Sequence, residues 1–283
     1  MHNIQKVGVV GLGQMGRGIA QVAIQHGFSV VAYDAIEPAL EKSNLFISEQ
    51  LKKGVEKQKW TQAQADSSLS LLKTTSKLSD LAAVDIVIEA AVENKHLKFE
   101  IFKKLDEVIQ SKAILASNTS SISITEIAAQ TKRPELVVGM HFMNPVPVMK
   151  LVEGIKGLLT SEETFQRVEA MAVALGKTWV KAQDYPGFAV NRILMPMINE
   201  AFYALYEGVA SAKDIDQAMK LGTNQPMGPF ELADFIGLDT CLSIMNVLFE
   251  GLGDTKYRAC PLLKNYVASG QLGRKTKQGV YQY

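Results

Sequence analysis

His141 lies one residue from the end of the largely apolar run LVVGMHF, and Glu153 follows a second run, Met149 to Val152, a short connection later. Histidine exchanges protons near neutral pH, and a buried carboxylate beside it would hold one ring tautomer and favour the cation. Together the two would make a general acid/base. A second polar group, Asn118, Thr119, Ser120 and Ser121, closes the run AILAS. Such side chains donate hydrogen bonds to a developing alkoxide when they lie within reach. Position alone leaves both groups open: a strand-end histidine is often a satisfied structural residue, and Asn118 to Ser121 could simply cap the next helix. The other histidines sit in less suggestive places, His2 at the terminus, His26 in a turn after the first helix and His96 at a helix start.

A more specific pattern lies at Lys6 to Asp34. The apolar run Val7 to Val10 ends at Gly11, and Gly11-x-Gly13-x-x-Gly16 opens a helical pattern that a second apolar run, Ser29 to Tyr33, follows. This is a dinucleotide-binding βαβ unit in order: Gly11 for a tight turn, Gly13 for approach to a pyrophosphate, Gly16 for close helix–strand packing. Leu12, Gln14 and Met15 complete the phosphate-facing loop, where the unpaired N–H groups of a helix N-terminus meet the ligand. Asp34 lies about 18 residues after Gly16, near the roughly 20 this pattern expects for the acid that accepts from the adenosine ribose hydroxyls. Its charge would repel a 2′-phosphate, which favours NAD over NADP.

Polar residues at the carboxyl ends of strands draw attention because open α/β sheets bind ligands there. Strand-like runs at Asp85 to Glu89, Ala113 to Ser117, Leu136 to His141 and Thr178 to Lys181 alternate with amphipathic helices such as Leu97 to Ile109 and Thr164 to Leu175. The shorter run Leu151 to Glu153 is a further candidate strand. This alternation argues for a Rossmann-type doubly wound, mostly parallel sheet. A polar helical region after Asp34 runs to about Ser68, with Gly54 expected to interrupt it.

Beyond the turn-rich Asp184-Tyr185-Pro186-Gly187, strand signals nearly vanish and helical periodicity takes over. The expected division is a dinucleotide-binding domain over 1–184 and an all-helical C-terminal domain over 185–283. In the second, Pro196 should kink the helix through Phe188 to Glu207, Ser211 with Asp214 should cap a helix, and Pro229 suits a first turn.

Composition sets the class. The 283 residues are 47% apolar and 21% charged, with a formal charge of +1, which gives no reason to expect nucleic-acid binding. Cys241 and Cys260 form no metal-like spacing and read as free thiols in a reducing compartment; no metal is expected. No signal-like N-terminus and no apolar run near the roughly 18 residues of a membrane helix are seen, so a cytoplasmic protein without membrane partners is the expectation.

Over essentially its whole length the chain resembles the short-chain 3-hydroxyacyl-CoA dehydrogenases, and among them the bacterial 3-hydroxybutyryl-CoA dehydrogenases. The matching stretches are GLGQMGRGIAQ, DIVIEAAVEN, ILASNTSSISITEIA, GMHFMNPVPVMKLVE, PGFAVNRIL, NQPMGPFELADFIGLD and LGRKTKQGVYQY. The resemblance implies reversible NAD-dependent oxidation of an (S)-3-hydroxyacyl-CoA, with acetoacetyl-CoA as the expected ketone. It implies His141 as base, Glu153 as its orienting partner, and Ser120 and Asn191 as hydrogen-bond donors to the reacting oxygen. It further implies that Glu93, Lys98, Asn144 and Lys275 contact the nicotinamide half of NAD, with Ser120 touching both ligands. Lys53 and Lys57 match positions that meet the phosphates of coenzyme A, although Gly54 and Glu56 depart from relatives there, and exposed lysines are more usually a solvated helix face.

Two rival readings follow from the same opening unit. β-Hydroxyacid dehydrogenases share a GLGxMG start but carry a catalytic lysine four residues before an asparagine; counting back from Asn191 gives Gly187. A non-catalytic NAD-binding structural protein would share the fold, yet Ser120, His141, Glu153 and Asn191 are all present. The apolar helices FELADFIGLD and LSIMNVLF hold more apolar surface than so small a domain easily hides, so a homodimer through the C-terminal domain is expected.

Overall fold

The computed structural model describes residues 4–283, so His2 lies outside the described residues. The chain divides into two compact units after Tyr185, the tyrosine of the turn-rich tetrapeptide.

In the first unit the strands are β1 (Lys6–Val10), β2 (Ser29–Tyr33), β3 (Leu72–Thr75), β4 (Ile86–Glu89), β5 (Ile114–Ser117), β6 (Val137–Phe142), β7 (Leu151–Lys156) and β8 (Thr178–Gln183). They form one sheet in the order β3-β2-β1-β4-β5-β6-β7-β8. The first six follow the dinucleotide-binding order, whose switch point lies between β1 and β4. All pairs are parallel except β6 with β7, which run antiparallel. That reversal decides the chemistry: it returns the start of β7 to the sheet edge where β6 ends. β4, β5 and β6 are buried along their whole length, as expected of strands covered on both faces. β3 is the strand that hydrophobic pattern misses, because LKTT holds one apolar residue and pairs only at the sheet edge.

The helices of this unit are α1 (Gln14–Gln25), α2 (Glu37–Glu56), α3 (Gln62–Ser70), α4 (Lys95–Val108), α5 (Ile124–Ala128) and α6 (Glu162–Ala174). α1 buries Ile19, Val22, Ala23 and Ile24 against the β1–β2 side of the core. Thr61, Asn94, Ser123 and Ser161 cap the N-termini of α3, α4, α5 and α6 by accepting from backbone N–H groups, the usual use of short polar side chains there. One expectation is corrected here. Gly54 does not interrupt α2, which is continuous to Glu56; a Cβ on Gly54 would stand 1.8 Å from the Trp60 ring. The glycine makes room for an indole whose Nε1–H donates to the Leu51 carbonyl at 2.8 Å.

The second unit is helical: α7 (Val190–Tyr206), α8 (Ala212–Thr223), α9 (Pro229–Ile236), α10 (Leu238–Leu252) and α11 (Pro261–Ala268). Pro196 lies inside α7 and offers its ladder no N–H. The Ser211 hydroxyl accepts from Asp214 N–H at the start of α8, and Pro229 occupies the first turn of α9. Phe202 and Phe230 meet edge to face at 5.1 Å in a core that includes Met195, Leu238 and Leu248. Cys241 and Cys260 are both buried free thiols, and burial pushes the Cys241 thiol up to about 12. Among the described residues no single helix is long and apolar enough to cross a membrane; α9 and α10 pass only as a pair bent by 96°.

The C-terminal segment is fastened by two buried carboxylates. Asp234, 1% exposed, accepts from Val280 N, Tyr281 N and the Tyr283 hydroxyl. Asp216 accepts from Phe230 N, Glu231 N and the Tyr281 hydroxyl. Burial, with that Asp216 bond, raises the Tyr281 phenol well above its ordinary range.

Candidate active site

The glycine loop has the form a pyrophosphate needs. Gly11 adopts φ +88°, and a Cβ there would stand 2.8 Å from the backbone of Ala91, just past β4. At Gly16 a Cβ would fall 1.7 Å from the Gly11 carbonyl oxygen. The third glycine therefore lets helix α1 close onto the loop itself. Gly13 differs: a Cβ there would meet nothing within 4 Å, so the space beside the first turn of α1 is open to a ligand. Gly13 is also the N-cap and supplies no side-chain cap, leaving the N–H groups of the first turn for an anion.

Asp34 follows β2 beside this loop. Its Oδ2 accepts from Leu12 N at 2.7 Å and its Oδ1 from Ile36 N at 2.9 Å, while Gly11 N donates to the Tyr33 carbonyl at 2.9 Å. The carboxylate thus shapes the glycine loop, and each oxygen keeps a lone pair for a ribose hydroxyl.

Beyond β4 and β5 lies a polar network. Glu93 Oε1 accepts from Thr119 Oγ1 at 2.6 Å, Ser121 Oγ at 2.8 Å, Ser120 N at 2.9 Å and Ser120 Oγ at 3.2 Å. Partial burial alone would raise the Glu93 carboxyl. The Lys98 charge and the hydrogen bonds from Thr119, Ser121 and Ser120 outweigh it and hold the group below the ordinary carboxylate value. Lys98 itself is 1% exposed. Its ammonium bonds Glu89 at 2.6 Å and the Ala91 carbonyl at 3.2 Å, with Glu93 at 3.5 Å. The residue expected to touch the nicotinamide half is therefore a buried cation beneath Glu93. Its main partner Glu89, fully buried, also accepts from Ser117 Oγ and Ala91 N. The sequence places Glu89 at the end of a strand-like run but gives it no role, because its partner Lys98 lies beyond the intervening loop.

His141 and Glu153 are directly opposite in the antiparallel register of β6 and β7, which puts their side chains on one face. His141 Nδ1 lies 2.8 Å from Glu153 Oε2, and Glu153 is fully buried. An ionised carboxylate can only accept, so in this pair Nδ1 is the donor to Glu153. Asn118 accepts from Phe142 N through its side-chain oxygen at 2.8 Å, so it braces the end of β6. Asn144, just past β6, accepts from Gln14 Nε2 at 3.0 Å. That bond joins the glycine loop to the strand that carries His141.

The remaining candidates are more scattered. Lys53 and Lys57 are exposed at the last turn and C-cap of α2, where cations offset the helix dipole without any ligand. In the second unit Asn191 is 8% exposed near the start of α7, and Lys275 pairs with Asp239. Gly187 takes φ +78°, and a Cβ there would lie 2.7 Å from Leu248 Cδ2. A lysine at this position, where the rival β-hydroxyacid pattern requires one, would be held in a strained backbone conformation.

Residues 6–185 match the 3-hydroxyacyl-CoA dehydrogenase NAD binding domain, and residues 187–283 match the C-terminal domain of the same family. The chain is 54% identical over 280 residues to the 3-hydroxybutyryl-CoA dehydrogenase of Bradyrhizobium diazoefficiens, covering 99% of this chain and 96% of that one. It is 50% identical to that of Clostridioides difficile over 278 residues, 98% of this chain and 99% of the other. The crystal structure of (S)-3-hydroxybutyryl-CoA dehydrogenase from Ralstonia eutropha superposes with a TM-score of 0.97 at 50% identity, covering 99% of each chain. With the glycine loop, its acid and the histidine–carboxylate pair in place, the chain belongs to the 3-hydroxyacyl-CoA dehydrogenase family, as an NAD-dependent oxidoreductase.

Proposed function

We propose that this protein reversibly oxidises (S)-3-hydroxybutyryl-CoA to acetoacetyl-CoA with NAD. The observation that carries the reading is the 2.8 Å contact between His141 and the buried Glu153, on strands joined through Asn144 and Gln14 to an open dinucleotide loop. NAD held by the glycine loop and Asp34 would supply the acceptor for the hydride on C3 of the alcohol, and NADH the donor for the ketone. His141 takes the hydroxyl proton in oxidation and gives it back to the ketone oxygen in reduction, while Glu153 holds the ring and stabilises the imidazolium. Ser120 turns its hydroxyl from Glu93 to the reacting oxygen while its backbone N–H stays on Glu93. Asn191 is the second donor to that oxygen.

In this reading Gly11 to Gly16 hold the pyrophosphate and Asp34 the adenosine ribose. Glu93, Asn144 and Lys275 meet the nicotinamide half, with Lys98 acting through Glu93. Lys53 and Lys57 meet coenzyme A phosphates on charge alone. The active form is a cytoplasmic homodimer joined through the second unit. Free thiols at Cys241 and Cys260 support the compartment. Ile193, Val209 and Leu221 expose apolar side chains that such an interface would cover.

One assay series tests the proposal: loss of NADH absorbance with acetoacetyl-CoA, repeated with NADPH and with longer 3-ketoacyl-CoAs. Binding of NADH without turnover would point to a non-catalytic NAD-binding protein, and turnover of free 3-hydroxyisobutyrate to the rival dehydrogenases.

A further inference from the structure

Lys177 is a buried lysine that the proposed chemistry does not use. It is 9% exposed, and its ammonium donates to the carbonyls of Val146 at 2.5 Å and Met149 at 2.8 Å. Burial lowers its affinity for a proton, so the position exacts a cost that an apolar side chain of similar length would avoid. What a methylene chain cannot do is draw two carbonyls three residues apart to one point.

Both carbonyls belong to the connection over residues 143–150 between β6 and β7, the strands that carry His141 and Glu153. Val148 N and Met149 N both donate to the Pro145 carbonyl at 3.0 Å, and Thr178 N donates to the Lys150 carbonyl at 2.7 Å. The other side of this connection rests on the dinucleotide motif. Asn144 accepts from Gln14, and Val146, 2% exposed, packs so close to α1 that a Cβ on Gly18 would stand 3.0 Å from its Cβ. Lys177 reaches this point because Gly176, at φ +69°, ends α6 and Lys177 N bonds back to the Ala172 carbonyl at 3.0 Å.

We propose that Lys177 is a positioning residue: by gathering the Val146 and Met149 carbonyls it fixes the β6–β7 connection. Through it, Lys177 sets the placement of Asn144 between the histidine–carboxylate pair and the dinucleotide loop. The inference rests on the reading of this site as the NAD site. The test is a double-mutant cycle with Lys177→Met and Asn144→Ala, read in KM and kcat for NADH-dependent reduction of acetoacetyl-CoA. Lys177→Met should lower kcat/KM for NADH about tenfold or more, because small misplacements of binding groups are costly. The double variant should be little worse than the poorer single one, since coupled residues are not additive. Lys177→Met with wild-type KM and kcat and only a lower melting temperature would overturn the proposal, as would multiplied losses in the double variant. Should Lys177→Met not fold, Lys177→Arg decides: a changed KM for NADH at an unchanged melting temperature supports the role, and an unchanged KM overturns it. The Kd for NADH, followed by fluorescence on the same variants, separates the two failures. A wild type that binds NADH but does not turn over sinks the functional reading, while the cycle in Kd still judges Lys177.

Discussion

His141 and Glu153 face each other across the antiparallel β6–β7 pair, Nδ1 to Oε2 at 2.8 Å, with the carboxylate fully buried. In the proposed reaction the buried acceptor holds Nδ1 and the ring's Nε2 exchanges the substrate proton. His141→Gln should therefore lower turnover of acetoacetyl-CoA about a hundredfold to ten-thousandfold, the usual range for a lost general acid/base. NADH binding should stay nearly intact. Stopped-flow absorbance and NADH fluorescence read the two quantities, and equal losses in both would mean that the histidine is structural.

Asp34 holds the loop through Leu12 N, and in the proposed function it also meets the adenosine ribose. Asp34→Asn keeps an acceptor for the loop and removes the charge. KM for NADH should rise about tenfold, the scale of one hydrogen bond to a charged group, and discrimination against NADPH should relax by a similar factor. Unaltered rejection of NADPH would show that other groups exclude the 2′-phosphate.

Glu93 links stability to pH. Its native carboxyl is held below the ordinary value of 4.5 by Lys98 and the hydroxyl donors, against the opposing effect of partial burial. A depressed native pKa adds stability that is complete above the unfolded value and lost as pH falls through the native one. Wild type should be more stable than Glu93→Gln near neutrality, and the gap should close as the pH drops below 4.5. Urea unfolding at a series of pH values measures it; a gap constant down to strongly acidic pH would remove Glu93 from the account.

Two helical glycines should respond to alanine with opposite signs. At Gly54 the added Cβ would lie 1.8 Å from the Trp60 ring, so the indole must move and its bond to Leu51 is lost; overpacking of this kind costs about 1–3 kcal/mol. At Gly222 nothing lies within 4 Å, so Gly222→Ala should stabilise by roughly 0.5 kcal/mol through helix propensity. Thermal unfolding compares the pair, and a tolerated Gly54→Ala would mean that Trp60 moves away freely.

Local pattern made much of this protein readable. The glycine spacing, Asp34, the alternation of strands and helices, the cap Ser211 and the first-turn Pro229 each depend on neighbours close in sequence. The resemblance marked His141 and Glu153 as partners, while spacing alone left a strand-end histidine ambiguous. β3 escaped notice because edge strands need little apolar surface, and Gly54 looked like a helix break because Trp60 lies outside any helical window around it.

The sequence by itself determined a dinucleotide loop, an acid for its ribose, a mostly parallel sheet, a helical second half and the family. Tertiary structure decided which polar groups meet. The antiparallel return of β7 brings Glu153 onto His141. Glu89 takes Lys98 out of reach of solvent, and three hydroxyl residues gather on Glu93. Lys177 lies beneath the connection between the strands that carry His141 and Glu153. These contacts join residues far apart in the chain, and burial makes them specific: a charge removed from water must find its partner, and only the fold says which partner is there.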